Sequence, residues 1–112
     1  MKIALPLSGG LLCQHFGHSE AFEIFDVSTE DRQVLDRTSA VPPPHAPGVL
    51  PRWLQEQGVE LVLAGGMGSR AQALFGEAGI RVVTGIQSAP AEEIVQAYLN
   101  GTLTTGVNVC DH

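Results

Sequence analysis

The stretch VELVLAGGMGSRAQALFGEAGIRVVTG, residues 59–85, decides the fold. It opens on a short run of branched apolar residues, VELVLA, and breaks at a glycine-rich turn. It then passes through GMGSRAQALFGEAG, a loop and helix, and closes on IRVVTG, a second apolar run. A strand, a helix and a strand within about 25 residues make a βαβ unit, whose parallel strands are joined by a right-handed crossover.

Working outward, APAEEIVQAYLNG (89–101) reads as a further helix, stopped by Asn100 and Gly101. Upstream, Val49, Leu50, Trp53 and Leu54 make the apolar face of a short helix closed by Gly58, with Pro51 tolerated in its first turn. Trp53 is expected to pack this helix onto the sheet. Before it, VPPPHAPG (41–48) is a stiff connector, because proline lacks the amide donor and restricts the residue before it. AFEIFDV (21–27) and QVLDRTS (33–39) flank the turn residues STEDR and read as an antiparallel hairpin. KIALPL (2–7) is a buried strand that ends at the break Ser8-Gly9-Gly10. The expected architecture is α/β: a mixed five-stranded sheet in the order β-β-β-α-β-α-β-α, with flanking helices. Strands are expected near 2–7, 21–27, 33–39, 60–64 and 80–84, and helices near 49–57, 69–78 and 90–99. Residues 1–104 form one domain, and 105–112 read as a flexible tail ending in Cys110, Asp111 and His112.

With 44% hydrophobic and 16% charged residues the chain is neither a disordered polyampholyte nor a membrane protein, since no apolar run approaches the roughly 20 residues of a span. A formal charge of −6, with Lys2, Arg32, Arg37, Arg52, Arg70 and Arg81 scattered, argues against a nucleic-acid partner. MKIALPLSGGLLC mimics a lipoprotein signal only superficially: Pro6 and the Gly9-Gly10 pair interrupt it, and Leu12 stands where a small residue is expected before the cysteine. A reducing cytoplasm is the expected location, where Cys13 and Cys110 suggest metal or redox chemistry more than a structural disulfide. Two inert buried thiols are the plainer alternative.

The stretch LLCQHFGHSE (11–20) concentrates Cys13, His15 and His18 within six positions, in a chain that has two cysteines and four histidines. Together with His45, Cys110 and His112 they supply thiolate and imidazole ligands, which suit zinc, copper and iron–sulfur species better than magnesium or calcium. The spacing CxHxxH is not that of a zinc finger. Each residue also has a structural reading: Cys13 as a small core residue, His15 packed beside Phe16, His18 capping a turn. The loop AGGMGS (64–69) brings backbone amides and a helix start toward the same end of the sheet, an arrangement that favours an anion. It lacks the P-loop ending, and its glycines are equally explained by a tight strand-to-helix turn.

Taken together, QHFGHSEAFEIFD, PPPHAPGVLPRWLQEQGVELVLAGGMGSRAQALFGEAGIRVVTG and VQAYLNGTL resemble the accessory family of nitrogenase iron–molybdenum cofactor biosynthesis. That family includes the orange protein, which carries a molybdenum–copper sulfide cluster, and domains associated with Mrp-type P-loop ATPases. The resemblance runs over about residues 1–104. It implies a ribonuclease-H-like fold and the binding of a metal–sulfur cluster, iron–sulfur or containing molybdenum or copper. His15, Phe16 and Gly17 match the family's HFG, and Gly65, Gly66, Met67 and Gly68 match its glycine loop. Phe16, Gly17, Gly65, Gly66, Met67, Gly68 and Ser69 are thus the expected cluster-contacting residues, and Cys13, His15, His18, His45, Cys110 and His112 the candidate metal ligands. The roles of Cys13, His18 and the tail rest on local chemistry alone. A nuclease is rejected, because two-metal chemistry needs several carboxylates and KIALPL offers none. No nucleophile elbow supports hydrolysis by a Ser-His-Asp set. The expected function is a cluster carrier without turnover. The competing expectation is a regulatory or scaffold domain that binds a small anion or nucleotide and docks onto a P-loop ATPase.

Overall fold

A computed structural model describes residues 1–44 and 48–106. β1 (Lys2–Ser8) runs through the middle of the sheet with only its two end residues exposed. It is apolar on both faces because helices cover both faces. Pro6 fits inside it for a specific reason. Its main chain faces away from the ladder with the strand Ala21–Ser28, and its carbonyl accepts the N–H of Cys13 at 2.9 Å on the other side, so the missing donor falls outside that ladder.

β3 (Ala21–Ser28) pairs antiparallel with β1, and β4 (Gln33–Ala40) pairs antiparallel with β3, giving the expected hairpin. β5 (Leu61–Leu63) lies parallel to β1, and β6 (Arg81–Val83) parallel to β5. The order is β4-β3-β1-β5-β6. The mixed α/β class therefore holds, with one strand more than the five expected. β2 (Leu11–Leu12) folds back antiparallel on the end of β1 and makes the sheet six-stranded. Gly9 and Gly10, at φ +62° and +83°, make the tight reversal that lets it do so. A strand of two residues has no period to read in advance.

The helices divide between the faces. α3 (Ala91–Asn100) packs Ile94, Val95 and Leu99 on Ile3, Leu5, Phe25 and Leu61. On the other face α1 (Val49–Glu56) brings Leu50 and Leu54, and α2 (Ser69–Glu77) brings Phe75, onto Ala4, Phe22 and Val62. Odd and even residues of the same strand thus serve different cores, as the two-residue period of a strand demands. Trp53 does pack α1 inward, edge-on to Phe22 with ring centroids 5.7 Å apart. α3 begins with Glu92 and Glu93 in its first turn and ends at Gly101 in the left-handed conformation, both favourable for a helix of that direction. Among the described residues no helix is long and apolar enough to cross a membrane.

The hairpin is held from α3's side. Arg37 on β4 lies over the Phe25 ring, 5.1 Å from its centroid, and pairs with both Glu23 of β3 and Glu92 of α3. A bulge between Asp26 and Val27 leaves Leu35 as the extra residue on β4, 63% exposed. Beyond it the N–H of Arg37 is taken by Asp36 Oδ1 at 2.9 Å, which blunts this open edge of the sheet.

Candidate functional site

β1, β5 and β6 end on the same side of the sheet, and in open α/β sheets ligands collect outside those carboxyl ends. Three chain segments meet there. After the Gly9-Gly10 reversal, residues 12–16 run beside the loop that follows β5. Gly66 N–H donates to Gln14 O at 2.7 Å, and Phe16 N–H donates to Gly66 O at 2.9 Å, so His15 and Gly66 form a parallel bridge. The segment after β6 closes the other flank. Gly85 N–H donates to Gly65 O at 2.6 Å, Leu12 N–H to Ala89 O at 3.0 Å, and Ser88 Oγ to Leu12 O at 2.9 Å. The reversal itself is fastened by Glu20, whose carboxylate accepts from Ser8 Oγ at 2.8 Å and Gly9 N–H at 3.1 Å.

Gly65 is required by this packing. A Cβ built there would lie 3.1 Å from Cys13 O, Gln14 Cα and Gln14 Nε2, so any side chain would push the two loops apart. The glycines are therefore explained first by the approach of the chain's own segment 13–14. The Gly66 amide, expected to face a ligand, donates to Gln14 instead.

The stretch 13–18 is placed by Phe16. Its ring is buried in an aromatic cluster, edge-on to Phe22 at 5.7 Å and to Phe75 at 5.5 Å. His15 precedes it in an extended conformation, φ −123° and ψ 113°, and Phe16 itself begins a 3₁₀ turn. The buried Phe16 ring anchors the segment, and His15 beside it is exposed. Cys13, 6% exposed, holds a free thiol that donates to His15 O at 2.9 Å. Gly17 is exposed within the single 3₁₀ turn Phe16–His18, which His18 closes. Met67 is fully buried in the same core as Phe16, so both serve the site by positioning its loops.

Gly68 caps α2 with no side-chain hydrogen bond, and Ser69 and Arg70 stand exposed in its first turn, where there is no carboxylate. The end of the helix that carries partial positive charge therefore follows directly on the loop cluster, with Arg70 exposed in its first turn. Among the described residues no three His, Cys, Asp or Glu side chains gather into a metal-binding group. His45 and the tail residues Cys110 and His112 lie outside the described residues, as does any closure by the 107–112 segment. Of the expected site, the structure brings together Cys13, His15, Gly65, Gly66 and the start of α2. The sequence reading did not single out Gln14, Glu20 and Ser88, whose bonds hold that cluster. Their partners are 11 to 76 positions away, and no local pattern marks them.

Comparison with known proteins agrees with this architecture. An uncharacterised protein of Methanocaldococcus jannaschii is 28% identical over 107 residues, covering 92% of this chain and 89% of that one. The crystal structure of PH0822 superposes with a TM-score of 0.85 at 29% identity, over 96% of this chain and 98% of the other. The apo form of the orange protein from Desulfovibrio gigas shares the fold, with a TM-score of 0.76 at 22% identity, over 96% and 93%. A family model described as dinitrogenase iron-molybdenum cofactor matches residues 1–101, and the chain belongs to that family.

Proposed function

We propose that the protein is a carrier of a metal–sulfur cluster in metallocluster assembly, taking up and releasing its cargo without turnover. Family membership links the chain to the iron–molybdenum cofactor of dinitrogenase. The observation that carries the finer reading is the position of His15. It is exposed, and the residues on either side of it, Gln14 and Phe16, are hydrogen-bonded to Gly66, three residues before α2 begins at Ser69. An imidazole donor thereby stands next to a helix start that has no acid in its first turn and an exposed Arg70.

Metal–sulfide clusters are commonly anionic, and backbone amides at a helix start hold an anion without many lysines or arginines. This reconciles anionic cargo with a chain of net charge −6. The donor types fit: imidazole and thiolate suit copper and iron, and the sulfides of the cargo complete the metal's coordination. Cys13 is the second donor, reached by turning its thiol away from His15 O.

Anaerobic reconstitution with iron and sulfide, or with copper and tetrathiomolybdate, tests the reading by metal stoichiometry and the visible charge-transfer spectrum. Retention of cluster by the wild type, with a loss of about tenfold in His15→Ala, is the expected result. A wild type that retains no metal under either condition, or a His15→Ala variant that retains as much, overturns it.

A further inference from the structure

The sheet has a second open edge, at β6, on the side away from the hairpin. Arg81 N–H donates to Glu60 O at 3.0 Å and Ala64 N–H donates to Val83 O at 2.9 Å. Residues 81 and 83 therefore turn their main chain toward β5, and Val82 between them turns its N–H and C=O outward. Beside this edge lies an open groove of 690 Å³. Ile80 and Val82 form its floor, Gln72, Gly76 and Gly79 one wall, and Tyr98 of α3 the other.

Two features of the groove bear on what would occupy it. Gly76 lies inside α2, where glycine is the poorer helix former, yet a Cβ there would meet nothing within 4 Å. The chain's own contacts do not demand a glycine at this point of the wall; the close approach of another backbone would. Arg81 is exposed on the rim and makes no ion pair among the described residues, in a chain that is otherwise strongly acidic.

We propose that this groove receives an extended segment of a partner protein carrying a carboxylate side chain, which adds to β6 as one more strand. Val82 supplies the main-chain hydrogen bonds, Gly76 and Gly79 the room for the incoming backbone, and Arg81 the counter-charge that selects an acidic residue. A second copy of the chain is a poor occupant. Its own β6, Arg81–Val83, would bring Arg81 against Arg81 across the seam, like charge against like, where the groove calls for a carboxylate. This site is separate from the loop cluster at the carboxyl ends and stands independently of the cluster-carrier reading.

The test is selection of a random-peptide phage library on the full chain, followed by fluorescence anisotropy with the enriched peptide, labelled and synthesised. Enriched sequences should alternate β-branched and other residues and carry Asp or Glu. The peptide should bind about tenfold more weakly to Gly76→Leu and to Arg81→Glu. Selection on Arg81→Glu should exchange the acid for lysine, and peptide binding should shift the amide resonance of Val82. Because the added side chain at 76 enters open space, Gly76→Leu should melt no lower than the wild type, which separates loss of binding from loss of fold. No enrichment, or enriched peptides that bind Gly76→Leu as well as wild type, overturns the proposal. So does a dimer in sedimentation that Gly76→Leu dissolves, which would make the occupant a second copy. Peptide binding seen only after the chain is shortened to end at Gly106 would make the occupant the chain's own end, and would overturn it too.

Discussion

The loop cluster at the carboxyl ends of β1 and β5 and the β3–β4 hairpin both border the central strand, yet they are fastened by different means. In the loop cluster neutral main-chain bonds predominate: Gln14, Phe16, Gly65, Gly66 and Gly85 exchange backbone hydrogen bonds at 2.6–2.9 Å over a buried aromatic ring, and the side chains of Gln14, Glu20 and Ser88 add bonds to them. In the hairpin, beyond the β3–β4 ladder itself, the attachment to α3 is made by polar side chains: Arg37, which also pairs with Glu23 within the hairpin, reaches Glu92, and the Gln96 amide donates to Arg32 O. Main-chain fastening holds the loops in place while the His15 side chain stays exposed. Side-chain fastening uses the polar groups up.

The largest effect should come from removing the anchor of the loop cluster. Phe16→Ala deletes a ring packed against Phe22 and Phe75 and should cost about 3–5 kcal/mol, read by urea unfolding. A cost below about 1 kcal/mol would mean that the site collapses around the gap and that the ring does not set the position of His15. Gly65→Ala acts on the same region without touching the ring. Its Cβ must displace the backbone of Cys13 and Gln14, contacts of 3.1 Å that no flexible side chain can relieve alone, so a loss of about 2 kcal/mol is expected. Amide exchange should speed up at Phe16 and Gly66 and stay unchanged in the hairpin.

How far these two regions were legible in the sequence follows from the same difference. The hairpin, the βαβ unit and the three helices were readable because period and turn chemistry are local: the run IALPL, the STEDR turn, the face Val49, Leu50, Trp53 and Leu54. β2 was not, being two residues long. Cys13, His15 and the glycine loop were legible as residue types, and the topology that joins the carboxyl ends was legible too. What Gly65 is for was not, because the atoms that exclude a side chain there belong to residues 13 and 14, some fifty positions earlier. Phe16 reads as a family signature in HFG, but its burial, which anchors the segment carrying His15, depends on Phe22 and Phe75 from two other elements.

On the hairpin side, Arg37→Met keeps much of the stem over Phe25 and removes the charge, leaving the Glu23 carboxylate, only 11% exposed, without its cation. The expected cost is about 1 kcal/mol, reduced from that of a buried pair because Arg37 itself is 41% exposed. A double variant Glu23→Gln with Arg37→Met should recover part of it, since no buried charge then lacks a partner. If the two losses simply add, Glu23 is solvated well enough to stand alone and the hairpin is held by its ladder with β3.

The smallest effect should be that of Glu92→Gln. Its carboxylate is 67% exposed, so its pairing with Arg37 is a surface ion pair of about 0–1 kcal/mol. Glu92 also lies in the first turn of α3, where a negative charge contributes about 0.3–1 kcal/mol against the helix dipole. The two contributions share one charge and are both screened, so a total of about 0.5 kcal/mol is expected at low salt, falling toward zero near 1 M, where the screening length is about 3 Å. The Phe16→Ala loss, which is made of packing, should keep its size over the same range of salt. Running both variants through a salt series therefore separates the two kinds of fastening directly. A Glu92→Gln effect that persists at high salt would place this contact among the buried ones and erase the contrast between hairpin and loop cluster.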